Sequence, residues 1–361
     1  MNIQKLEQIL KDNNQPKFRL EQIQKAIYQD GISTWAEITT ISKDLRKILE
    51  KEIKMLSFDV EKVLVAKNAD SIEALLKLND GNLIESVLIS PKPKTWSVCV
   101  SCQVGCAMGC RFCATGKMGF KRNLTAEEIT DQVLFWHQYL KKNYHLFVNW
   151  KLNPPAGGEN CDVKNIVYMG MGEPFLNWEE VSKSIKDLTN KKLFGFGSRS
   201  LSVSTAGIAE GIEKMAEEFP QINLAISLHF ASDEKRDCYM PINKKDNLEL
   251  LKQALKKYFQ TTKRKVFLEY IMLAGINDSA KDAKMLADYI YSIGNRQLLH
   301  VNLIRYNTTP ETSVENLKPS SKNQTQFFKK ELEKQHIGVT IRKSLGEEIQ
   351  GACGQLSGTK Q

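Results

Sequence analysis

Cys106, Cys110 and Cys113 form a C-x3-C-x2-C array inside the run CVSCQVGCAMGCRFCATG. Three thiols packed into eight residues, in a chain whose eight cysteines come without an export signal, point to metal rather than disulfide chemistry. Three ligands suit a [4Fe–4S] cluster with one iron left open. Structural zinc normally takes four ligands, and electron-transfer clusters usually take four cysteines. The other reading of this spacing is a zinc knuckle that borrows Cys99 or Cys102.

Such a loop has to be held by elements on both sides. Ser97–Ser101 reads as a strand running into the cysteines, and Thr125–Lys142 as a helix beyond them, with Thr125 and Glu128 forming a capping box. Further strands are expected at Val163–Met169, Ser200–Ser204, Asn223–Leu228, Val266–Leu273 and His300–Ile304. Helices are expected at Trp178–Asn190, Asn247–Phe259 and Ser279–Ile293. Six strands alternating with helices predict an α/β fold, a parallel and partial (β/α)6 barrel. Barrels of this kind collect chemistry at the C-terminal ends of their strands. Gly170-Met171-Gly172-Glu173, Ser204, Ser227-Leu228-His229 and Asn307 all fall at or just after such an end.

Residues 1–80 read as short helices, from apolar positions such as Leu6, Ile9, Leu10 and Leu20, Ile23, Ile27. Asp80-Gly81-Asn82, flanked by Leu75, Leu76, Leu78 and by Leu83, Ile84, Val87, is a hairpin signal. The expected organisation is a small, mostly helical accessory domain over 1–90, a core barrel over 91–345 and a tail over 346–361. Residues 143–162, punctuated by Asn-Pro-Pro and Gly-Gly, read as a surface insertion.

The formal charge of +9 is unevenly placed. Residues 1–90 hold 13 Lys and Arg against 14 Asp and Glu, so the remainder carries 38 against 28. The basic excess therefore lies with the cysteine array, where a polyanion such as RNA would fit. A solvated basic surface is the plainer explanation of the same charge. The first residues, MNIQKLEQILKDNNQ, are polar and amphipathic, unlike a signal peptide, and no apolar run nears the ~20 residues of a membrane span. The expected location is the cytoplasm, with no membrane partner.

Beyond the cysteine array, several strings carry a family resemblance. They are Cys99 seven residues before Cys106, Phe112 between the last two cysteines, Gly170-Met171-Gly172-Glu173-Pro174, Ser204-Thr205, Ser227-Leu228-His229 and Met240-Pro241-Ile242-Asn243. The tail adds Val301-Asn302-Leu303-Ile304 and Ala352-Cys353-Gly354-Gln355-Leu356. In this order the chain resembles the RlmN/Cfr family of radical S-adenosylmethionine (SAM) RNA methyltransferases over nearly its full length. Pro174 and Gly346-Glu347-Glu348-Ile349 resemble the RlmN type, whereas Asn302–Asn307 and Thr340-Ile341-Arg342 look like the Cfr type.

The resemblance implies methylation of carbon 2 of one adenosine in 23S rRNA, and in many relatives of an adenosine beside a tRNA anticodon. Cfr-type relatives methylate carbon 8 of the same rRNA base. Neither carbon is nucleophilic, so the cofactor must supply the hard chemistry. The resemblance implies a [4Fe–4S] cluster on Cys106, Cys110 and Cys113 and two SAM molecules per turnover. It implies SAM contacts from Gly172, Glu173, Ser204, Ser227, Leu228, His229 and Asn307. Cys353 would accept a methyl from the first SAM. The second would yield a 5′-deoxyadenosyl radical that activates that methyl for addition to the base. Cys99 would then release the product by attacking the Cys353 sulfur, leaving a disulfide that needs a reductant, and Glu85 would accept the proton. A low-potential flavodoxin- or ferredoxin-like donor and a monomeric state are expected. Cys102 stands where the family commonly has Ser, and Cys161 and Cys238 have no expected role. The competing class is a zinc-bound RNA-binding protein without catalysis.

Overall fold

The computed structural model describes residues 1–92, 95–143 and 162–358. The strands are β1 (Phe58–Val65), β2 (Ser71–Leu78), β3 (Leu83–Lys92), β4 (Thr95–Cys99), β5 (Gln103–Gly105), β6 (Phe120–Asn123), β7 (Val163–Tyr168), β8 (Leu201–Thr205), β9 (Asn223–Ser227), β10 (Val266–Met272), β11 (Leu299–Arg305) and β12 (Gly338–Ile341). Ten of them form one open sheet in the order β1-β2-β3-β4-β7-β8-β9-β10-β11-β12, and β5 pairs with β6 in a small hairpin. The six expected strands are neighbours in chain order and pair in parallel. That is the arrangement a partial barrel requires, and β1 and β12 are its edges.

Helices cover the parallel strands, so most of their side chains are buried. Val98, Ile166, Leu201, Val203, Leu224, Ile226, Leu268 and Val301 are all fully buried in one core. The alternate positions on β8, Ser202 and Ser204, are only partly covered. Period-two alternation thus sends the apolar set toward the helices and leaves a polar set for the site. The helix Ala126–Lys142 starts at the expected capping box, with both reciprocal Thr125–Glu128 bonds formed. A second box, Ser279 with Asp282, opens the helix Ala280–Ile293. Each such cap stabilises its helix by about 1 kcal/mol.

Several elements differ from the sequence expectation, among them the helices Ala209–Glu218 and Asp233–Tyr239 and the β5–β6 hairpin, which it did not include. β1 lies in the stretch read as short helices. Its register shifts between Val60 and Lys62, and only Phe58 is buried, so no unbroken period-two stripe marks it as a strand. The helix Lys322–Lys334 and β12 were not anticipated. That helix fully buries only Phe328 and Leu332, too sparse a stripe to read. β12 has four residues and is identified by its parallel pairing to β11. The anticipated hairpin at Asp80–Asn82 is present, with β2 antiparallel to β3. The stretch read as an insertion falls almost wholly outside the described residues, as does Cys161.

The N-terminal helices build a core of their own. Leu6, Leu10, Ile23, Ile27, Trp35, Leu45 and Leu49 pack together and meet Leu134 and Leu193 of the α/β unit. β1–β3, by contrast, are hydrogen-bonded into the main sheet. Among the described residues no helix is long and apolar enough to cross a membrane.

Candidate active site

The cysteine loop is fixed from several directions. Leaving β4, Val100 N–H donates to the Val167 carbonyl at 3.0 Å, and Cys102 N–H to that of Met171 at 2.8 Å. Gln132 clasps Ser101 twice, accepting from its N–H at 2.9 Å and donating to its carbonyl at 3.0 Å. Cys106 N–H then bonds the Gly119 carbonyl at 3.0 Å. A side chain at Gly105, whose φ is +74°, would stand 1.8 Å from that carbonyl, so only glycine permits the turn.

Cys106, Cys110 and Cys113 lie within electrostatic range of one another. Burial pushes the Cys106 thiol up to about 12. Burial also raises Cys110, and the neighbouring Cys113 and Cys106 add to the rise. Cys106 and Cys110, whose burial opposes ionisation, together with Cys113 beside them, are a donor set suited to a cationic cluster, which offsets the cost of the thiolates. Among the described residues, no three His, Cys, Asp or Glu side chains gather around a single point, as one zinc ion would need. Cys102 does not join them: it is 2% exposed and sits in the main core.

A wall of strand ends faces this loop. Gly170 and Gly172 pass so near it that added Cβ atoms would meet Ser101 Oγ at 2.7 Å and Gln103 Cβ at 2.6 Å. Glu173 is buried, and its carboxylate accepts from Phe175 N–H at 3.1 Å and Ala206 N–H at 2.7 Å. Burial nonetheless pushes its pKa up to about 7. A carboxylate so placed gains from an ammonium partner. Ser204 and Ser227 lie on the partly open side of their strands. Leu228 is wholly buried in the core, so its side chain packs rather than binds. His229 has φ +58°. Its Nδ1 accepts from Ile271 N–H at 3.1 Å, and burial, with Arg236 nearby, holds it neutral with a pKa of about 3.

Arg236, unanticipated from sequence, is fully buried and ties these ends together. Its guanidinium donates to the carbonyls of Ala206 and Leu228 and, at 3.0 Å, to Asn243 Oδ1. Asn243 in turn donates to Asp233 and Asp237. The Met240–Asn243 string is therefore a buckle for the loops after β8 and β9. Glu269 is also new. It lies in register with Ser227 and Asn302, accepts from Asn302 Nδ2 at 2.8 Å and stands 4.0 Å from Arg342. No short motif marks these residues; only the strand register aligns them.

The tail closes the site. Ala114 N–H donates to the Gly354 carbonyl at 2.9 Å, and Thr115 Oγ1 to that of Leu356 at 2.6 Å. Asn307 Nδ2 reaches the Cys353 carbonyl at 3.4 Å, while its Oδ1 accepts from Ser344. In this arrangement Asn307 holds the tail. Gln355 bonds Ala352 N–H and the Thr308 carbonyl, folding the loop around Cys353. The Cys353 thiol is exposed at the open end of the site, yet the enclosing protein pushes its pKa up; Arg342 opposes the rise, and Glu269 and Cys113 add to it. Cys99 is likewise raised by burial and then by Cys353. The two thiols, 254 residues apart in sequence, thus face one site. Glu85 is fully buried on the same sheet face as Cys99, since β3–β4 pairing sets Val87 opposite Cys99. Its oxygens accept from Ser357 N–H at 3.2 Å and Gly358 N–H at 3.1 Å.

Comparison with known proteins agrees with this geometry. The family model described as "Radical SAM superfamily" matches residues 100–287. That described as "Ribosomal RNA large subunit methyltransferase N-terminal domain" matches residues 1–55. A Bacillus velezensis protein named "Ribosomal RNA large subunit methyltransferase Cfr" is 38% identical over 99% of this chain and 96% of its own. A Clostridium botulinum protein of the same name is 39% identical over 98% and 96%. The crystal structure of a radical SAM methyltransferase from Sphaerobacter thermophilus superposes with a TM-score of 0.87 at 34% identity, covering 99% of this chain and 98% of that one. The chain belongs to the radical SAM superfamily and, within it, to the Cfr/RlmN type of ribosomal RNA methyltransferases. The family implies a [4Fe–4S] cluster and SAM, and the three thiols and the Gly170–Glu173 wall suit them.

Proposed function

We propose that this enzyme methylates carbon 2 of one adenosine in 23S rRNA, using Cys353 as the methyl carrier and Cys99 as the thiol that releases the product. The reading rests on one observation: the tail that carries Cys353 is bonded to the cluster loop, Ala114 N–H to the Gly354 carbonyl at 2.9 Å, with Cys353 in electrostatic range of Cys99. A radical SAM enzyme that does not pass its methyl through protein sulfur needs neither thiol. The cluster, when bound, supplies the electron that splits SAM.

The residues divide the remaining work. Glu173 holds the SAM ammonium, and Ser204, Ser227 and neutral His229 line its ribose and carboxylate. The Cys353 sulfur displaces a methyl group from SAM and gives up its proton. After the carbon has joined the base, the Cys99 sulfur attacks the Cys353 sulfur. An S–S bond forms, the S–C bond breaks, and its electron pair stays on the methylene carbon, which takes up a proton to become the methyl group; the odd electron of the adduct would return to the bound cluster. Glu85 takes the ring proton, and an external dithiol resets the disulfide. Two SAM molecules are used per product. An anticodon-loop adenosine of tRNA, a flavodoxin- or ferredoxin-like donor, a monomer and a cytoplasmic setting complete the reading.

Pro174 and the Gly346–Ile349 loop support carbon 2. A second reading, carbon 8, is favoured by the name Cfr borne by the relatives above. Mass spectrometry of nucleosides from 23S rRNA treated anaerobically with enzyme, SAM and reductant separates the two. 2-Methyladenosine supports the first and 8-methyladenosine the second. The Cys353→Ala variant should form neither, and Cys99→Ala should accumulate a protein–RNA adduct. Product from Cys353→Ala would overturn the carrier role.

A further inference from the structure

The carboxylate read as the proton acceptor is already occupied. Glu85 is fully buried, and both of its oxygens are engaged by backbone N–H groups of the tail, Oε2 by Ser357 at 3.2 Å and Oε1 by Gly358 at 3.1 Å. The tail segment is inserted rather than draped. Leu356 is 5% and Ser357 2% exposed. Gly358 has φ +63°, and an added Cβ would come within 3.0 Å of both the Leu83 carbonyl and Met118 Cε. Only glycine seats so deeply there. Glu85 is held from behind as well: its carbonyl accepts from Ser101 Oγ at 2.6 Å, and its N–H meets Met171 Sδ at 3.4 Å. With the Glu85 backbone fixed in β3, exposing its carboxylate requires the tail to leave it.

We infer that Ser357–Gly358 is a gate standing in the seat of the target base, which RNA displaces to expose Glu85. The inference rests on Glu85 accepting the proton of the methylated ring. The two backbone N–H donors lie on the same oxygens that the ring C–H must reach. While the segment is seated, Glu85 makes two charge-assisted bonds to it and is wholly covered, so no ring can approach its oxygens. The carrier Cys353 is anchored separately, through Gly354 to Ala114 and through Gln355 to Thr308. Residues 357–358 can therefore lift while Cys353 keeps its place. The device withholds the proton acceptor until substrate arrives.

Hydrogen–deuterium exchange of the full-length, cluster-loaded protein with SAM tests this, with and without a 23S rRNA transcript, RNA binding being followed in parallel by gel shift. The gate predicts that the Ser357 and Gly358 amides exchange at least ~10-fold faster once RNA is bound, while the Gly354–Gln355 region stays protected. Bound RNA with both amides still protected would overturn the gate and leave the proposed function standing. No RNA binding at all would overturn the functional reading, and the gate with it.

Discussion

The Gly354 carbonyl accepts the N–H of Ala114 at 2.9 Å. The residue after the exposed tail cysteine is thereby bonded to the residue after the third cysteine of the array. Together with the bond from Thr115 Oγ1 to the Leu356 carbonyl, this bond ties the Cys353 segment to the cluster loop, and Gly354 turns the chain there at φ +83°.

Gly354→Ala should therefore separate folding from methyl transfer. The left-handed conformation costs an alanine about 1–2 kcal/mol, and the new Cβ would lie 3.4 Å from the Phe112 carbonyl. The loop will relax rather than the barrel unfold. Thermal unfolding should move by no more than a few degrees, and methylation of Cys353 in single-turnover assays should fall at least ~10-fold. Unchanged methyl loading would show that the turn does not position the thiol.

The Arg236–Asn243 buckle predicts a stability effect remote from the chemistry. Asn243→Ala removes the 3.0 Å acceptor of a fully buried guanidinium. Leaving that charge short of a partner should cost about 1–3 kcal/mol, read as a lower midpoint in urea with an unchanged m-value. SAM affinity should fall as well, because the loops after β8 and β9 lose their tie. A variant of native stability would mean that Asp233 and Asp237 alone hold the arginine.

His229 gives a pH signature of known sign. Its folded pKa of about 3 lies below the ordinary 6.5. As pH falls through 6.5 the unfolded chain takes up a proton that the folded one refuses, so stability falls with pH across the window from about 6.5 to 3. The loss approaches ~1.4 kcal/mol per pH unit well inside that window. Denaturation of wild type and His229→Asn from pH 7.5 to 5 should show the steeper decline in wild type. Parallel slopes would refute the buried neutral imidazole. In activity profiles above pH 5, His229 should contribute no inflection.

Much of the barrel was legible because its signals are local. The six parallel strands are short apolar runs, and the helix starts at Thr125 and Ser279 are caps of adjacent residues. β1 left no clear strand signal because a bulge between Val60 and Lys62 breaks its period of two and only Phe58 is buried. β12 and the helix before it were missed because each buries too few side chains to leave a pattern. Of the site, the C-x3-C-x2-C spacing speaks for itself, since metal chemistry constrains ligands close in sequence. Arg236 and Glu269 carry no such mark. They matter through partners distant in sequence, and a lone Arg or Glu in a sequence reads as solvated surface.

By itself the sequence determined the chemical inventory: three clustered thiols, glycines where backbone must pass closely, and two distant cysteines with a carboxylate between them and the N-terminus. The tertiary structure alone decided which of these meet. Parallel pairing aligns Ser227, Glu269 and Asn302 across three strands. The tail returns 254 residues to lie beside Cys99. The same return seats Ser357 and Gly358 on Glu85. Contacts of that kind depend on how the sheet is ordered and where the last segment docks, and local spacing holds no information about either.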